Sequence, residues 1–489
     1  MLLQLIKKEI LEHLMSLRFA IACVLCMVVV LASLFVRCQD FGQTQDDYFE
    51  ESNIAKQEVE NWDHPWRVVW SGLTIHRRPN PLKIFVRGLD DSYGGATLVA
   101  SKEALHPITR DLKNVAVPLF PPIDLVAFVG LIMSLMAIVF GYDAICGEKE
   151  RGTLRLVLSY SVPRHVVLLS KWIGGYVTLT VPFLLTVIVG TVIVQQQTDF
   201  ALNSWQWTRL AAIVVLSLIY IATIYSLAIW ISCLTPRTAT SVLVLLSLWV
   251  VLVLALPNVG PHVAQALQPI ANVQEVAQAR SEKADEIWKK MVEEEMKAYD
   301  KEYGFEDFFE GAWWLSIDWD QWGPLRERVE IRRYYELERE RDAHLTRLRE
   351  FAKIDRHYSA QMDQQVRLTK WISRISPLSC LSLAVAELAD AGLLQDKRYQ
   401  KQLRDHQDVL CKYAHVEWLY RQQYELDNEG ERPGPWNKSR QNPVPVFNYV
   451  PPAVGDYTKA VMIDGGILTG MALLFFMLSY IGFLRYDVR

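Results

Sequence analysis

The stretch with the most specific chemistry reads GEKERGTLRLVLSYSVPRHVVLLSK, residues 147–171, and lies between two long apolar runs. It opens with four charges in a row, and these lead to Gly152 and Thr153, residue types found where helices begin. Pro163 prevents simple continuation of the helix before Lys171 meets the next apolar run. A short helix fixed between two apolar runs can act as a lever, because its rigid connection to a span on each side transmits any movement of a bound partner.

The helix predicted after Gly152 has one apolar side, because Leu154, Val157 and Leu158 are spaced three and four residues apart. Basic side chains are mixed with this stripe at Arg151, Arg155 and Arg164. This pattern suits docking into a groove on a soluble protein. It also suits an ordinary loop resting on lipid, because cytoplasmic loops of membrane proteins are commonly basic.

Motifs for bond-making chemistry are absent from the sequence. It has no GxxxxGK[ST] phosphate loop, so we do not expect this chain to hydrolyse ATP. It also has no HExxH, no GxSxG and no His/Cys set of metal-ligand spacing. We therefore predict a chain that is not an enzyme and that holds no cofactor or metal of its own.

The bulk composition indicates a membrane protein with large polar parts. The chain has 489 residues, of which 51% are hydrophobic. Several apolar runs approach the roughly 20 residues needed to cross hydrocarbon. We predict six spans, at residues 19–36, 123–142, 172–194, 210–234, 239–256 and 462–484.

The charges of the short loops set the orientation. Under strict alternation, the Lys and Arg residues flanking the spans fall on one side, whereas the loop 195–208 has none. Both termini and the coupling segment, residues 143–171, are thus predicted to be cytoplasmic. Residues 1–18 read as an interfacial helix and 485–489 as a short cytoplasmic tail. The expected location is a bacterial inner membrane.

Two long insertions are predicted on the outer side. Residues 37–122 start with an acidic helix at 46–60 and continue with strands at 66–70, 82–87 and 96–100, a small mixed α/β domain. Residues 257–457 are helical, with a long helix or helical hairpin over 325–372 and further helices at 263–303, 381–394 and 401–426. The predicted fold class is an α-helical polytopic membrane protein with these two extracytoplasmic domains.

A tryptophan-rich segment, residues 311–324, lies within the second insertion and also carries Asp318 and Asp320. Its rings fit the core of that domain. Two other interpretations stay open, contact with the outer leaflet and docking of another envelope protein. The four tryptophans of this segment are Trp313, Trp314, Trp319 and Trp322.

The middles of the predicted spans carry uncharged polar residues and no ionisable ones, so the driving force is expected to come from a partner. These polar residues are candidates for lining a translocation path, and hydrogen bonds between helices are the equally open alternative. The candidates are Thr178, Thr186, Ser217, Tyr220 and Thr223. On the outer side, Cys380 and Cys411 are candidates for a disulfide in an oxidising compartment.

Taken together, the charged cluster, the Gly-Thr-Leu step, the short helix, the Pro-Arg pair and Lys171 resemble the coupling region of ABC-2 type exporter permeases. The resemblance implies a separate ATPase subunit that carries ATP and Mg, and a second permease in a homodimer or heterodimer. It also implies roles for matching positions. The positions that would meet the ATPase are Glu148, Glu150, Arg151, Gly152, Thr153 and Leu154. Those that would set the re-entry into the membrane are Pro163, Arg164 and Lys171.

The segment RRPNPLKIFVRGL at residues 77–89 and the Ile-Ser-Pro turn at 375–377 resemble a narrower subset, the gliding-motility and nitrous-oxide-reductase maturation permeases. Two functions remain open on this basis. One is ATP-driven export, and the other is mechanical relay or assembly acting on a periplasmic or surface protein. The net charge of −4 and the lack of a dense basic patch give no reason to expect nucleic acid as a partner.

Overall fold

The structure is a computed structural model that describes residues 2–62, 64–65, 67–68, 71–88, 95–99, 106–108, 123–159, 162–197, 202–304, 326–427, 442–451 and 454–485. Over these residues the chain is mostly helical and contains one small sheet. The predicted class, a helical polytopic membrane protein with a small strand-containing part, is confirmed. The tryptophan-rich segment 311–324 lies outside the described residues.

The N-terminal part is a short helix followed by a very long one. Helix α1 is separated from the next helix at Ser16, whose hydroxyl oxygen accepts from the Phe19 amide and caps it. That next helix continues without a break through the first span and into the acidic part of the first insertion. Its pieces are α2 (Leu17–Leu25), a π turn (Cys26–Val30) and α3 (Leu31–Asn61), and α1 is Leu2–Leu14.

The sheet of the first insertion is antiparallel, with the order β1, β2, β3. The predicted strand at 96–100 is present, whereas the predicted strand at 82–87 is wrong. Residues Pro81–Ile84 form a single 3-10 turn, because Asn80 caps it through the Leu82 amide and Pro81 fixes its first φ angle. The predicted strand at 66–70 is only partly described, and Arg67 and Val68 are helical. The strands are β1 (Leu73–His76), β2 (Ala96–Val99) and β3 (His106–Ile108).

The membrane helices pack into one bundle. The centre is α9 (Ser204–Leu234), which packs along the last helix, α17 (Val454–Leu484), and along α5 (Ser134–Gly141). Helix α9 is also in close contact with the preceding helix at Gly175, where a Cβ would collide with the Tyr225 hydroxyl oxygen. The helices are α4 (Leu125–Ala127), a π turn (Phe128–Met133), α5 (Ser134–Gly141), α6 (Cys146–Arg151), α7 (Thr153–Ser159), α8 (Arg164–Gln197), α9 (Ser204–Leu234) and α10 (Thr238–Trp249).

The second insertion is helical, as predicted. Residues 326–373 form one helix rather than a hairpin, whereas the predicted helix 263–303 is interrupted at residues 268–272 and the predicted helix 381–394 ends at Leu388. The elements are a π turn (Val250–Ala255), α11 (Leu256–Leu267), α12 (Val273–Trp288), a π turn (Lys289–Glu294), α13 (Glu295–Tyr303), α14 (Arg326–Ser373), α15 (Pro377–Leu388), α16 (Leu393–Asp427) and α17 (Val454–Leu484).

Seven stretches of the described residues are long and apolar enough to cross a membrane, and six of them contain or overlap the predicted spans. The seventh, Pro377–Arg421, has a mean hydropathy of 1.4, against 2.1 to 3.0 for the other six. Its apolar helix, α15, has 12 residues. At 1.5 Å per residue such a helix is about 18 Å long, too short for a hydrocarbon core of about 30 Å. We therefore keep six spans as the prediction and treat α15 as a helix that enters the bundle from the outer side.

Candidate coupling site

The predicted coupling segment folds as two short helices, α6 and α7, joined at Gly152. Gly152 has a φ of 75°, a left-handed conformation that ends α6 at low cost because glycine has no Cβ. Pro163 precedes the first residue of α8, which agrees with the expected break. The segment thus turns sharply at both of its predicted boundary residues.

Side chains of α6 hold the C-terminal end of α9. The Lys149 ammonium donates to the carbonyl oxygens of Cys233 and Thr235, at the C-terminus of α9, where a cation is favoured. In return, the Ser232 hydroxyl oxygen accepts from the amides of Ile145 and Cys146, both at 3.0 Å. The two helix ends therefore supply each other's missing hydrogen-bond partners.

Glu150 holds the start of α10. Its carboxylate accepts from the Thr238 amide at 3.0 Å and from the Thr238 hydroxyl at 2.9 Å. The residue at the N-cap of α10, Arg237, makes no side-chain cap of its own. Glu150 thus acts as the cap from 88 positions away in the sequence.

A buried ion cluster joins the coupling segment to α1 and α8. The Lys171 ammonium donates to Glu148 at 2.7 Å and to Glu9 at 3.1 Å, and the Lys171 side chain is 8% exposed. Beside it, the His13 ring lies 5.5 Å from the Phe140 ring. Burial lowers the pKa of His13, which favours the neutral imidazole at this position.

Two further arginines connect the remaining helix ends. Arg18, at the start of the first span, makes a two-pronged ion pair with Asp143, with distances of 3.0 and 2.9 Å. Arg164 donates to the carbonyl oxygen of Leu484, at the end of α17, at 2.8 Å. Side chains of segment 143–171 are thus bonded to the ends of four predicted spans, through Arg18, the Cys233 and Thr235 carbonyl oxygens, Thr238 and the Leu484 carbonyl oxygen. The other two predicted spans continue from the two ends of the segment along the chain.

The exposed surface of the segment differs from the one predicted. Leu154 was expected to meet the partner but is fully buried in the bundle core, and Val157 packs against the same core. The Glu148 carboxylate is paired with Lys171, and the Glu150 carboxylate accepts hydrogen bonds from Thr238. The apolar side chain that faces outward is Leu156, which is 62% exposed. Around it lie the exposed Arg151, Gly152, Thr153 and Arg155.

The candidate path residues are buried within this chain and their hydroxyls are hydrogen-bonded to backbone carbonyl oxygens. Their hydroxyls donate to carbonyls four residues earlier in the same helix, at 2.7 Å for Thr178, 2.8 Å for Thr186 and Thr223, and 2.9 Å for Ser217. Tyr220 donates to the carbonyl oxygen of Gly130 at 2.9 Å. The alternative interpretation, hydrogen bonding within and between helices, describes these five residues, all of which are buried.

The candidate disulfide is not formed. Neither Cys380 nor Cys411 is bridged to another cysteine, and both are buried. Cys380 lies on α15, where its thiol donates to the carbonyl oxygen of Arg374 at 3.3 Å, whereas Cys411 lies on α16. Their spacing in the sequence gave no information on proximity.

Several residues of the site escaped the sequence analysis. Glu9 lies in the predicted interfacial helix and Asp143 is the first residue of the predicted coupling segment, but neither was singled out, and nor were Ser232 and Thr238. Charged groups next to apolar runs are the one signal that pointed to Glu9 and Asp143. Nothing in the sequence marks the two hydroxyl residues, because their partners come from other helices.

These features define a polytopic membrane protein in which one short segment connects the ends of the predicted spans on one side of the bundle. The chain belongs to the ABC-2 family transporter proteins, since the sequence model of that family matches residues 3–488. Over 62 residues, or 13% of this chain and 22% of the relative, it is 39% identical to the "Probable ABC transporter permease protein NosY" of Stutzerimonas stutzeri. Over 51 residues it is 43% identical to the protein of the same name from Pseudomonas aeruginosa, covering 10% of this chain and 18% of that relative. The matched part is thus about a fifth of the length of these relatives.

Proposed function

We propose that this chain is the permease subunit of an ATP-driven complex in which a separate ATPase subunit, holding ATP and Mg, binds the exposed face of α7. A second permease, identical or homologous, completes the complex in a bacterial inner membrane. Both termini face the cytoplasm and the two insertions face outward. ATP hydrolysis by the partner drives export across the membrane.

The observation that carries this proposal is that one segment is attached to the neighbouring ends of all six predicted spans, four through side-chain bonds and two along the chain. A partner that binds α7 and displaces segment 143–171 also displaces every helix end attached to the segment. The contact with the ATPase is assigned to the exposed residues Arg151, Gly152, Thr153, Arg155 and Leu156. The residues that hold the segment in place are Glu148, Glu150, Pro163, Arg164 and Lys171.

The contact is tested by charge and polarity changes on the exposed face. The ATPase is first identified by mass spectrometry of native-membrane pull-downs and is then expressed together with this chain. Arg155→Glu with Leu156→Asp is expected to abolish co-purification, because it removes the apolar anchor and inverts the adjacent charge. Lys8→Glu, on the exposed side of α1, is the matched control and should leave co-purification intact. Undiminished association of the double variant would refute the assignment.

A second candidate function, mechanical relay to an outward protein, is favoured by the way α14 enters the membrane. This helix has 48 residues, about 70 Å at 1.5 Å per residue, and leads directly into the apolar α15. Arg374, near the junction, pairs with Asp464 of α17 at 2.6 Å, and both side chains are nearly buried. The long helix α14 and the apolar helix α15, which packs in the bundle, are therefore one connected unit.

Export and relay make different predictions for the outward helices. Spin labels at the exposed positions Phe49 and Ile331 would report the distance between the two insertions by pulsed electron paramagnetic resonance. Relay expects this distance to change by several ångström when the complex is trapped with ATP and vanadate. Export expects ATP hydrolysis stimulated by the substrate, and an unchanged label distance would favour it.

A further inference from the structure

A single helix connects the coupling segment to the second insertion. It runs through α10, the π turn and α11 as the continuous stretch Thr238–Leu267 of 30 residues, about 45 Å at 1.5 Å per residue. Its middle is little covered by the rest of the chain, and Leu243 and Val251 are 68% and 49% exposed. Its two ends, by contrast, are tied by specific contacts.

The cytoplasmic end is tied through Thr238. Both the amide and the hydroxyl of Thr238 donate to Glu150, the last carboxylate of α6. Because Glu150 replaces the missing side-chain cap of this helix, a displacement of α6 acts on the first turn of the helix directly.

The outer end is tied first through Leu252. In the π turn the Leu256 amide bonds the carbonyl oxygen of Val251, five residues earlier. The next bond of this register would join Leu252 to residue 257, which is a proline and has no amide hydrogen. The orphaned Leu252 carbonyl oxygen accepts instead from the Ser376 hydroxyl at 2.5 Å. Ser376 also caps α15, so this bond lies at the junction of α14 and α15.

A second contact lies one turn further out. A Cβ at Gly260 would lie 2.3 Å from the Ser373 hydroxyl oxygen, so the backbone of α11 lies directly against the last residue of α14. Beyond it, the side-chain amide nitrogen of Gln365 donates to the backbone carbonyl oxygen of Gln268 at 2.9 Å. Together with the packing of α11 along α14, these contacts fix the outer end of the helix Thr238–Leu267 to α14.

We infer that the helix Thr238–Leu267 carries the movement of the coupling segment to α14, with Glu150 and Thr238 as positioning residues at its input end and Ser376 and Gly260 at its output end. That the movement starts at the coupling segment and ends at α14 rests on the proposed function. The mechanical connection itself is a property of this chain alone. A helix tied at both ends and loosely covered between them transmits displacement along its axis without repacking the bundle.

The connection is tested by hydrogen exchange and mass spectrometry on the full chain in lipid nanodiscs. Thr238→Val keeps the side-chain shape but removes the hydroxyl donor to Glu150. We expect several-fold faster exchange at the start of the helix and also at the distant residues 256–267 and 369–376. The matched control is Thr153→Val, which changes an exposed threonine of the coupling segment that makes no bond to Glu150 in the described residues. It should leave the exchange of both distant regions unchanged.

Acceleration confined to the first turns after Thr238 would overturn the inference. Gly260→Ala probes the connection from the outer end and should alter exchange near residues 238–242, because coupling between two sites is reciprocal. A change limited to the surroundings of Gly260 would also count against it. If Thr238→Val does not fold, Glu150→Gln weakens the same bond with less disturbance. No ATPase enters this experiment, so its failure leaves the proposed ATPase contact standing, and the reverse holds as well.

Discussion

Lys171 and Glu148 form an ion pair at 2.7 Å in which the side chains are only 8% and 17% exposed. The same ammonium reaches Glu9 at 3.1 Å, so one buried cation lies between two carboxylates. Charges removed from water are stable only when they are closely paired. This cluster therefore fixes α1, α6 and α8 to one another, and its integrity depends on the single lysine.

Replacing Lys171 by methionine is expected to destabilise the protein by about 3–5 kcal/mol, because two carboxylates are then left buried without a counter-charge. The free energy is measured from denaturation of the purified chain in mixed detergent micelles. Lys7→Met, on the exposed side of α1, serves as the control and should cost little. Adding Glu9→Gln and Glu148→Gln to Lys171→Met should recover much of the loss. If Lys171→Met alone proved neutral, the cluster would have no role in holding these helices.

At the outer end of the bundle, a similar pair links Arg209 of α9 to Asp390, in the turn after α15. Asp390 has a φ of 54°, which is unfavourable for a residue with a Cβ, and its carboxylate also accepts from the Tyr457 hydroxyl. We expect Arg209→Gln and Asp390→Asn each to cost about 3 kcal/mol, and the double variant to cost clearly less than their sum. A double-mutant cycle on unfolding free energies measures this coupling. Simple additivity would show that the pair contributes nothing beyond its separate parts.

The sequence predicted the coupling segment and the approximate spans because both depend on local patterns. A run of apolar residues or a Gly-Thr-Leu step is visible without knowing what packs against it. The orientation of α7 is not local. Leu154 heads an apolar stripe, and the stripe alone does not say whether the bundle or a partner covers it. The structure buries Leu154 in the bundle and leaves Leu156 exposed.

The partners of the charged residues could likewise not be predicted from the sequence. Glu148 pairs with a lysine 23 positions away and Glu150 with a threonine 88 positions away, and no local rule selects either partner. The missing strand at 82–87 has a different cause. Its composition favours a strand, but Asn80 and Pro81 cap and fix a 3-10 turn, so turn chemistry overrides β propensity.

The buried hydroxyls of the spans give a prediction that separates packing from transport. Ser217 donates to Ile213 and Thr223 to Ile219 within α9, so neither hydroxyl is offered to a passing solute in this conformation. Ser217→Ala and Thr223→Val are expected to change stability by no more than about 1 kcal/mol and to leave ATP hydrolysis by the complex unchanged. Thermal unfolding and ATPase assays on the same preparations check both statements. A selective loss of transport in a stable variant would restore the path interpretation.

Bulky substitutions at these buried positions do not distinguish export from relay. Ser217 and Tyr220 are both buried among packed helices, so enlarging Ser217 to tryptophan overfills the bundle whatever the function. Loss of activity in such a variant is expected together with loss of stability. The alanine and valine variants are therefore the informative ones for distinguishing export from relay.

The second insertion is expected to respond to pH through Glu340 of α14. Burial, and to a smaller extent the nearby Glu336, raises the pKa of Glu340 to about 7, from an ordinary value of 4.5. Between these two pH values the folded state keeps a proton that the unfolded state has released. Stability therefore falls as pH rises from 4.5 to about 7 and is level above, with a total change of roughly 3 kcal/mol at most.

Hydrogen exchange of peptides covering residues 335–345, corrected for the intrinsic pH dependence of exchange, measures this effect where it arises. Protection in the wild type should fall between pH 5 and pH 8. Glu340→Gln replaces the carboxyl group with a neutral side chain of the same size, so it should remove the fall and exceed the wild type in protection at pH 8. At pH 5 the two proteins should be nearly equal, because the wild-type carboxyl group is then protonated as well. A pH dependence that persisted in Glu340→Gln would assign it to another group of this insertion.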